Sequence, residues 1–226
     1  MILINLSIIL AKKRNNNLLI FFISIISVLL ISTSFSTLAE TAKMDIWADS
    51  ISVSENEESN VFLGEGNALL QSDDLRIEAN LIQYSFDTED FLAEKEVLFR
   101  NSDFKLRAGK ISGSLSNEEF EAFDKVAFEA DTLKIESNTA NYHGNEGTIN
   151  FFDDVVLSNE DIDAESDSLI YNEVEEKAYM EGNVKGTIKV QEGLVDVAGG
   201  LLEIDLVQRT WNISNDSQIS YREQGE

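Results

Sequence analysis

The chain has 226 residues, with 42 Asp plus Glu against 17 Lys plus Arg and a formal net charge of −25, which excludes nucleic acid as a partner and direct attraction to an anionic membrane surface. It has no cysteine and a single histidine, so disulfide stapling, a zinc set and the usual nucleophile–base pairs are excluded too.

Residues 1–39 contain no Asp or Glu, carry Lys12, Lys13 and Arg14, and then run from Leu18 to Ile31 with only Ser24 and Ser27 as polar interruptions. This is a targeting segment, expected as an N-terminal signal or anchor helix. Two readings stay open: a secretory signal cleaved after Ala39, or an uncleaved anchor in which the uncharged residues 18–39 span a membrane. Either one places residues 40–226 outside the cytoplasm. Without the three basic residues of the leader, 14 Lys plus Arg face 42 Asp plus Glu, a net charge of −28.

From Met44 onward the chain repeats itself every 29 residues. The stretch Leu75 to Phe99 becomes Phe104 to Phe128 on a shift of 29, then Leu133 to Leu157, and a fourth copy starts at Ile162. Ala68, Val97, Val126, Val155 and Val184 mark the same position of successive copies. Outer copies with small insertions fit at Met44 to Leu70 and at Val195 to Ile219. A fixed period of this size means one supersecondary unit stacked on itself.

Each unit begins as a strand, since Leu75, Ile77 and Ala79 alternate with Arg76, Glu78 and Asn80. The apolar set then slips by one residue to Ile82 and Tyr84, and the slip recurs at Ile111, Tyr142, and Leu169 with Tyr171. A slip of one residue turns side chains to the other face, so its recurrence predicts a bend in the strand. Polar hairpin turns follow at 87–90, 116–119, 144–147 and 172–177, and then a second strand with Phe91, Ala93, Val97 and Phe99 on one side. The predicted architecture is all-β, with roughly 11 to 13 strands, as one domain over 40–221 and a polar tail, 222–226. No proline blunts the end strands, which leaves them free to pair with another chain.

The predicted interior includes Leu75, Ile77, Ile82, Tyr84, Phe104, Leu106, Ile111, Leu133, Ile135, Tyr142, Ile162, Leu169 and Tyr171. These residues form either a closed core or the lining of an apolar groove. Large side chains meeting across the interior would mark the first, and an open slot the second. The acids alternate with the apolar set and read as a solvated outer face. Asp73-Asp74, Asp153-Asp154 and Asp161 with Asp163 lack the spacing of a calcium loop, so no metal and no cofactor are expected. His143, beside a turn, has no second His or Cys to work with, and outward acids do not make a glycosidase pair. The chain does not read as an enzyme.

The run Ile46-Trp47-Ala48-Asp49-Ser50, a hairpin, Val61-Phe62-Leu63-Gly64-Glu65-Gly66-Asn67-Ala68 and then Leu75-Arg76-Ile77-Glu78-Ala79-Asn80 resembles the OstA-like family, with echoes at Glu181-Gly182-Asn183-Val184 and Ala164-Glu165-Ser166-Asp167. That family includes a periplasmic bridge protein of lipopolysaccharide transport (LptA-type) and its membrane-anchored relative (LptC-type). The resemblance implies an open β-jellyroll, a V-shaped stack of antiparallel hairpins whose interior residues line a lipid groove. It also implies lipopolysaccharide as cargo, with head-to-tail copies and other lipopolysaccharide-transport proteins of the inner and outer membranes joined through edge strands. The competing reading is an exported structural β-repeat that polymerises or binds protein partners without lipid.

Overall fold

The computed structural model describes residues 44–223 apart from 57–58 and 73. The leader expected over 1–39, Asp73, and the end of the tail at 224–226 lie outside the described residues.

The strands are β1 (Asp45–Trp47), β2 (Ser50–Asn56), β3 (Ser59–Gln71), β4 (Arg76–Ser85), β5 (Asp90–Arg100), β6 (Lys105–Ser114) and β7 (Glu119–Ala130). They continue with β8 (Leu133–His143), β9 (Thr148–Ser158), β10 (Ile162–Asn172), β11 (Lys177–Val190), β12 (Gly193–Asp205), β13 (Thr210–Ser214) and β14 (Gln218–Glu223). All pairings are antiparallel, and from β3 to β13 each strand pairs with its neighbours in sequence. The architecture is therefore all-β, a single sheet of 14 strands. The count exceeds the sequence expectation because both end strands are broken: β1 and β2 share the partner β3, and β13 and β14 share β12. Arg222 and Glu223, expected in the tail, belong to β14.

The breaks fall where every other strand bends. In β3, β5, β7, β9 and β11 two consecutive residues have positive φ: Gly66-Asn67, Lys95-Glu96, Asp124-Lys125, Asp153-Asp154 and Gly182-Asn183. These pairs stand 29 residues apart, and the ladder register shifts beside each one. A left-handed L-residue costs roughly 1 to 2 kcal/mol. Burial of the next side chain opposes that cost, since Ala68, Val97, Val126, Val155 and Val184 are all at most 2% exposed. In the alternate strands the bend takes the form read from the sequence, a one-residue slip between buried positions such as Ala79 and Ile82 or Ser166 and Leu169. The buried hydroxyls there are satisfied locally: Ser137 Oγ donates to the Thr139 carbonyl at 2.9 Å and Ser166 Oγ to the Ser168 carbonyl at 2.8 Å.

The motif residues that carry the family resemblance are the fasteners of this bend. Asn67 Nδ2 donates to Asp49 Oδ2 at 2.8 Å, and Asn183 Nδ2 to Asp167 Oδ2 at 2.8 Å. A Cβ on Gly66 or Gly182, both at positive φ, would run into the same carboxylates, so glycine is required for close approach as well as for conformation.

Bending every strand at one level folds the sheet back on itself. One layer, A, holds the segments beside the turns at 86–89, 115–118, 144–147 and 173–176; the other, B, holds the segments beyond the bend. Rings from the two layers touch: Phe99 with Phe120 at 4.7 Å between centroids, Phe104 with Tyr142 at 5.4 Å, and Phe128 with Phe151 at 5.5 Å. In the ladder Phe120 is the neighbour of Gly113 and through it of Phe91, so its contact with Phe99 crosses the interior. These contacts join β5 to β7, the lead-in of β6 to β8, and β7 to β9. Layer A is thus displaced by two strands relative to layer B. The displacement leaves inward side chains uncovered at both ends, Ile51 and Val53 on β2 and Ile219 and Tyr221 on β14, each at least half exposed.

Candidate functional site

Eleven of the thirteen interior residues expected from the sequence are at most 7% exposed, and Leu75 and Tyr142 are half-buried against the same cluster. All thirteen therefore face one interior. Along β5 to β9 that interior is filled by the rings of Phe99, Phe104, Phe120, Phe128, Tyr142 and Phe151 meeting across the layers.

Towards the C-terminal end the layers part. A cleft of about 790 Å³ opens between the layer B turns at 130–133, 159–162 and 188–191 and the layer A residues Tyr171, Ile204 to Leu206 and 209–211. Three of the expected residues reach it: Leu133, Ile162 and Tyr171. Its floor continues over Ile188, Ile204 and Trp211, which the sequence reading left out because they lie in and around the outer copy with insertions.

The repeat itself explains the opening. Phe104 is replaced by Leu133 and then Ile162 at successive shifts of 29, Phe120 by Ile149 and Ala178, and Phe128 by Leu157 and Gly186. The turns before Phe104 and Ile162 are alike: Asn101 Oδ1 accepts from the amides of Asp103 and Phe104 at 3.0 and 2.7 Å, and Asn159 Oδ1 from those of Asp161 and Ile162, both at 2.8 Å; the turn before Leu133 has Ala130 in that place and Asp131 at positive φ. Of these replacements Leu133 and Ile162 line the cleft, where the smaller side chains leave room, whereas Ile149, Leu157 and Ala178 are fully buried.

The cleft is negative. Asp131, Glu160, Asp161, Glu176 and Asp205 line it against Lys189 and Arg209, and none of the seven is in an ion pair among the described residues. Burial pushes the Tyr171 phenol up to about 12, helped by the carboxylates of Glu173, Glu176 and Asp131. Tyr142, in the filled stretch, is raised to about 12 by burial first and then by Glu173, Glu118 and Asp103. Burial also raises Glu173, with the charge of Asp103 adding to the effect.

Among the described residues no three His, Asp or Glu side chains are grouped to hold a metal ion. Asp153 and Asp154 instead form a bend pair, Asp154 accepting from Asn138 Nδ2 at 3.1 Å. His143 ends β8 with Glu119 Oε1 3.8 Å away.

A repeated, bent hairpin stack with an apolar interior defines a class of fold, and the sequence comparison gives the class a family. Residues 67–193 match the profile of the OstA-like proteins, and the chain belongs to the OstA-like family, which is not a family of enzymes. Among solved structures the chain is similar to "LptH, the LptA homologous periplasmic component of the conserved lipopolysaccharide transport device from Pseudomonas aeruginosa", at 12% identity over 66% of this chain and 96% of that chain, with a TM-score of 0.32. No curated protein matches.

Proposed function

We propose that this chain is a periplasmic lipopolysaccharide carrier that shields acyl chains from water during transport to the outer membrane. Family membership supports the cargo. The observation that carries the reading is the cleft, whose floor of Leu133, Ile162 and Tyr171 runs on into the thirteen-residue interior. Each CH₂ moved from water onto that floor contributes about 0.8 kcal/mol, so a few acyl carbons suffice to hold a chain there. Deeper entry requires the rings of the filled stretch to part, and the lipid groove of this proposal is the interior so opened. No covalent chemistry is involved. The leader exports the chain, either cleaved or as an inner-membrane anchor. The uncovered ends at β2 and β14 serve as the joints to further copies, head to tail, and to the transport proteins of the two membranes.

Photocrosslinking in cells tests this. Probes at Leu133 and Ile135 face the interior and one at Glu136 faces out. Lipopolysaccharide adducts at the first two and none at Glu136 are expected; no adduct at any site in a folded, exported protein overturns the reading. The packing of rings between β5 and β9 favours one alternative, an exported structural repeat that binds only proteins, and protein adducts at β2 or β14 without lipid adducts would select it.

A further inference from the structure

We propose that the C-terminal cleft binds a cationic amphiphile, a ligand with an aliphatic or aromatic body and an ammonium head. The inference rests on the proposed function only in using the same apolar floor; the head group is argued from the rim. Five carboxylates face two bases around the opening, and no ion pair consumes any of them. Asp131 and Glu176 lie on opposite layers, in the β7–β8 and β10–β11 turns, and both act on the phenol of Tyr171. An ammonium placed between those turns is attracted from both sides, whereas a carboxylate or phosphate there is repelled from both. Below the rim Tyr171 and Trp211 add aromatic surface to the lining, on which an alkyl or aromatic body is buried. The volume of about 790 Å³ suits a single such molecule, within the ~300–1,000 Å³ usual for ligand sites. The net charge of −25 concentrates cations near the whole chain, and at this cleft unpaired acids border an apolar floor.

The chain has two tryptophans, and Trp47 on β1 is half exposed, so a Trp47→Phe background makes Trp211 the sole reporter. Its fluorescence would be titrated with decyltrimethylammonium, decyl maltoside and decanoate below their micelle concentrations, with circular dichroism verifying the fold. The ammonium is expected to bind at least about tenfold tighter than decanoate, with the maltoside between them and the spread narrowing in high salt. Asp131→Asn with Glu176→Gln, both exposed turn positions, should bring the ammonium down to the maltoside level. Decanoate binding as tightly as the ammonium, a preference unchanged in the double variant, or no response of Trp211 to any of the three would each overturn the proposal. An ammonium preference without lipopolysaccharide crosslinks would leave this site standing and remove the carrier function. Lipopolysaccharide crosslinks without the preference would do the reverse.

Discussion

The stretch from β5 to β9 and the C-terminal cleft are built from the same repeat, with the same bends, yet one is filled and the other is open. The difference at the cleft lies in one interior column, where Phe104 gives way to Leu133 and Ile162, while Phe120 and Phe128 give way to smaller residues beside it. Fold and function are thus separable along the chain. The backbone bends specify the stack, and the volume of a few side chains decides where it is open.

The widest contrast expected between the two regions is in stability. Phe128→Ala removes a fully buried ring that touches Phe104, Phe151 and Tyr171, and should cost about 3 to 5 kcal/mol in denaturant unfolding. Trp211→Ala, at the half-buried edge of the cleft, should cost about 1 kcal/mol while abolishing ligand uptake. Equal losses for the two would break the comparison. Next in size is the bend common to both regions. Gly182→Ala meets positive φ and the Asp167 carboxylate together and should lose about 1 to 2 kcal/mol, whereas Asp153→Gly at the equivalent bend should gain stability or leave it unchanged. Thermal unfolding would read both.

Ile162→Phe restores the residue that fills the equivalent position at Phe104. With the Asn159 cap already present, stability should move by less than about 1.5 kcal/mol while the cleft narrows and Trp211 stops responding to alkyl ligands. Retained binding would show that the cleft does not owe its opening to side-chain volume. A further effect appears only in alkali. Tyr142 and Tyr171 are both held up to about 12 against an unfolded value of 10, so each stabilises the fold fully below pH 10 and ceases to as the pH rises through about 12. Tyr142→Phe and Tyr171→Phe should each remove one late-titrating phenol from the ultraviolet absorbance and flatten the alkaline loss of stability. A ligand seated in the cleft should shift the titration of Tyr171 and leave that of Tyr142 alone.

Much of this was legible in the sequence. The period of 29 fixed the unit, alternation fixed which residues turn inward, and the one-residue slip at Ile82 or Leu169 marked one of the two bends. The second bend was half hidden. Gly66-Asn67 and Gly182-Asn183 are left-handed formers and stand in the family motif, and Asp153-Asp154 and Asp124 share the weaker preference of aspartate, but Lys95-Glu96 and Lys125 have none and take the conformation because the ladder on either side imposes it. The cleft could have been found by comparing copies, since Phe104, Leu133 and Ile162 fall in one column. Which layer faces which could not, because the displacement of two strands is set by how bulky rings interdigitate across the interior and leaves no trace in a period along the chain.

The placement of both bends inside the repeat has a consequence for how such a chain can change. Phase is restored after every 29 residues, so inserting or deleting one whole unit returns each later side chain to its own layer, while an insertion of any other length must be absorbed outside the ladder, as the outer copies do in their turns. Duplicating 95–123 would add two strands and about 9 to 10 Å to the stack. Span is therefore a quantised property of this architecture, adjustable in steps without redesigning the pieces at either end.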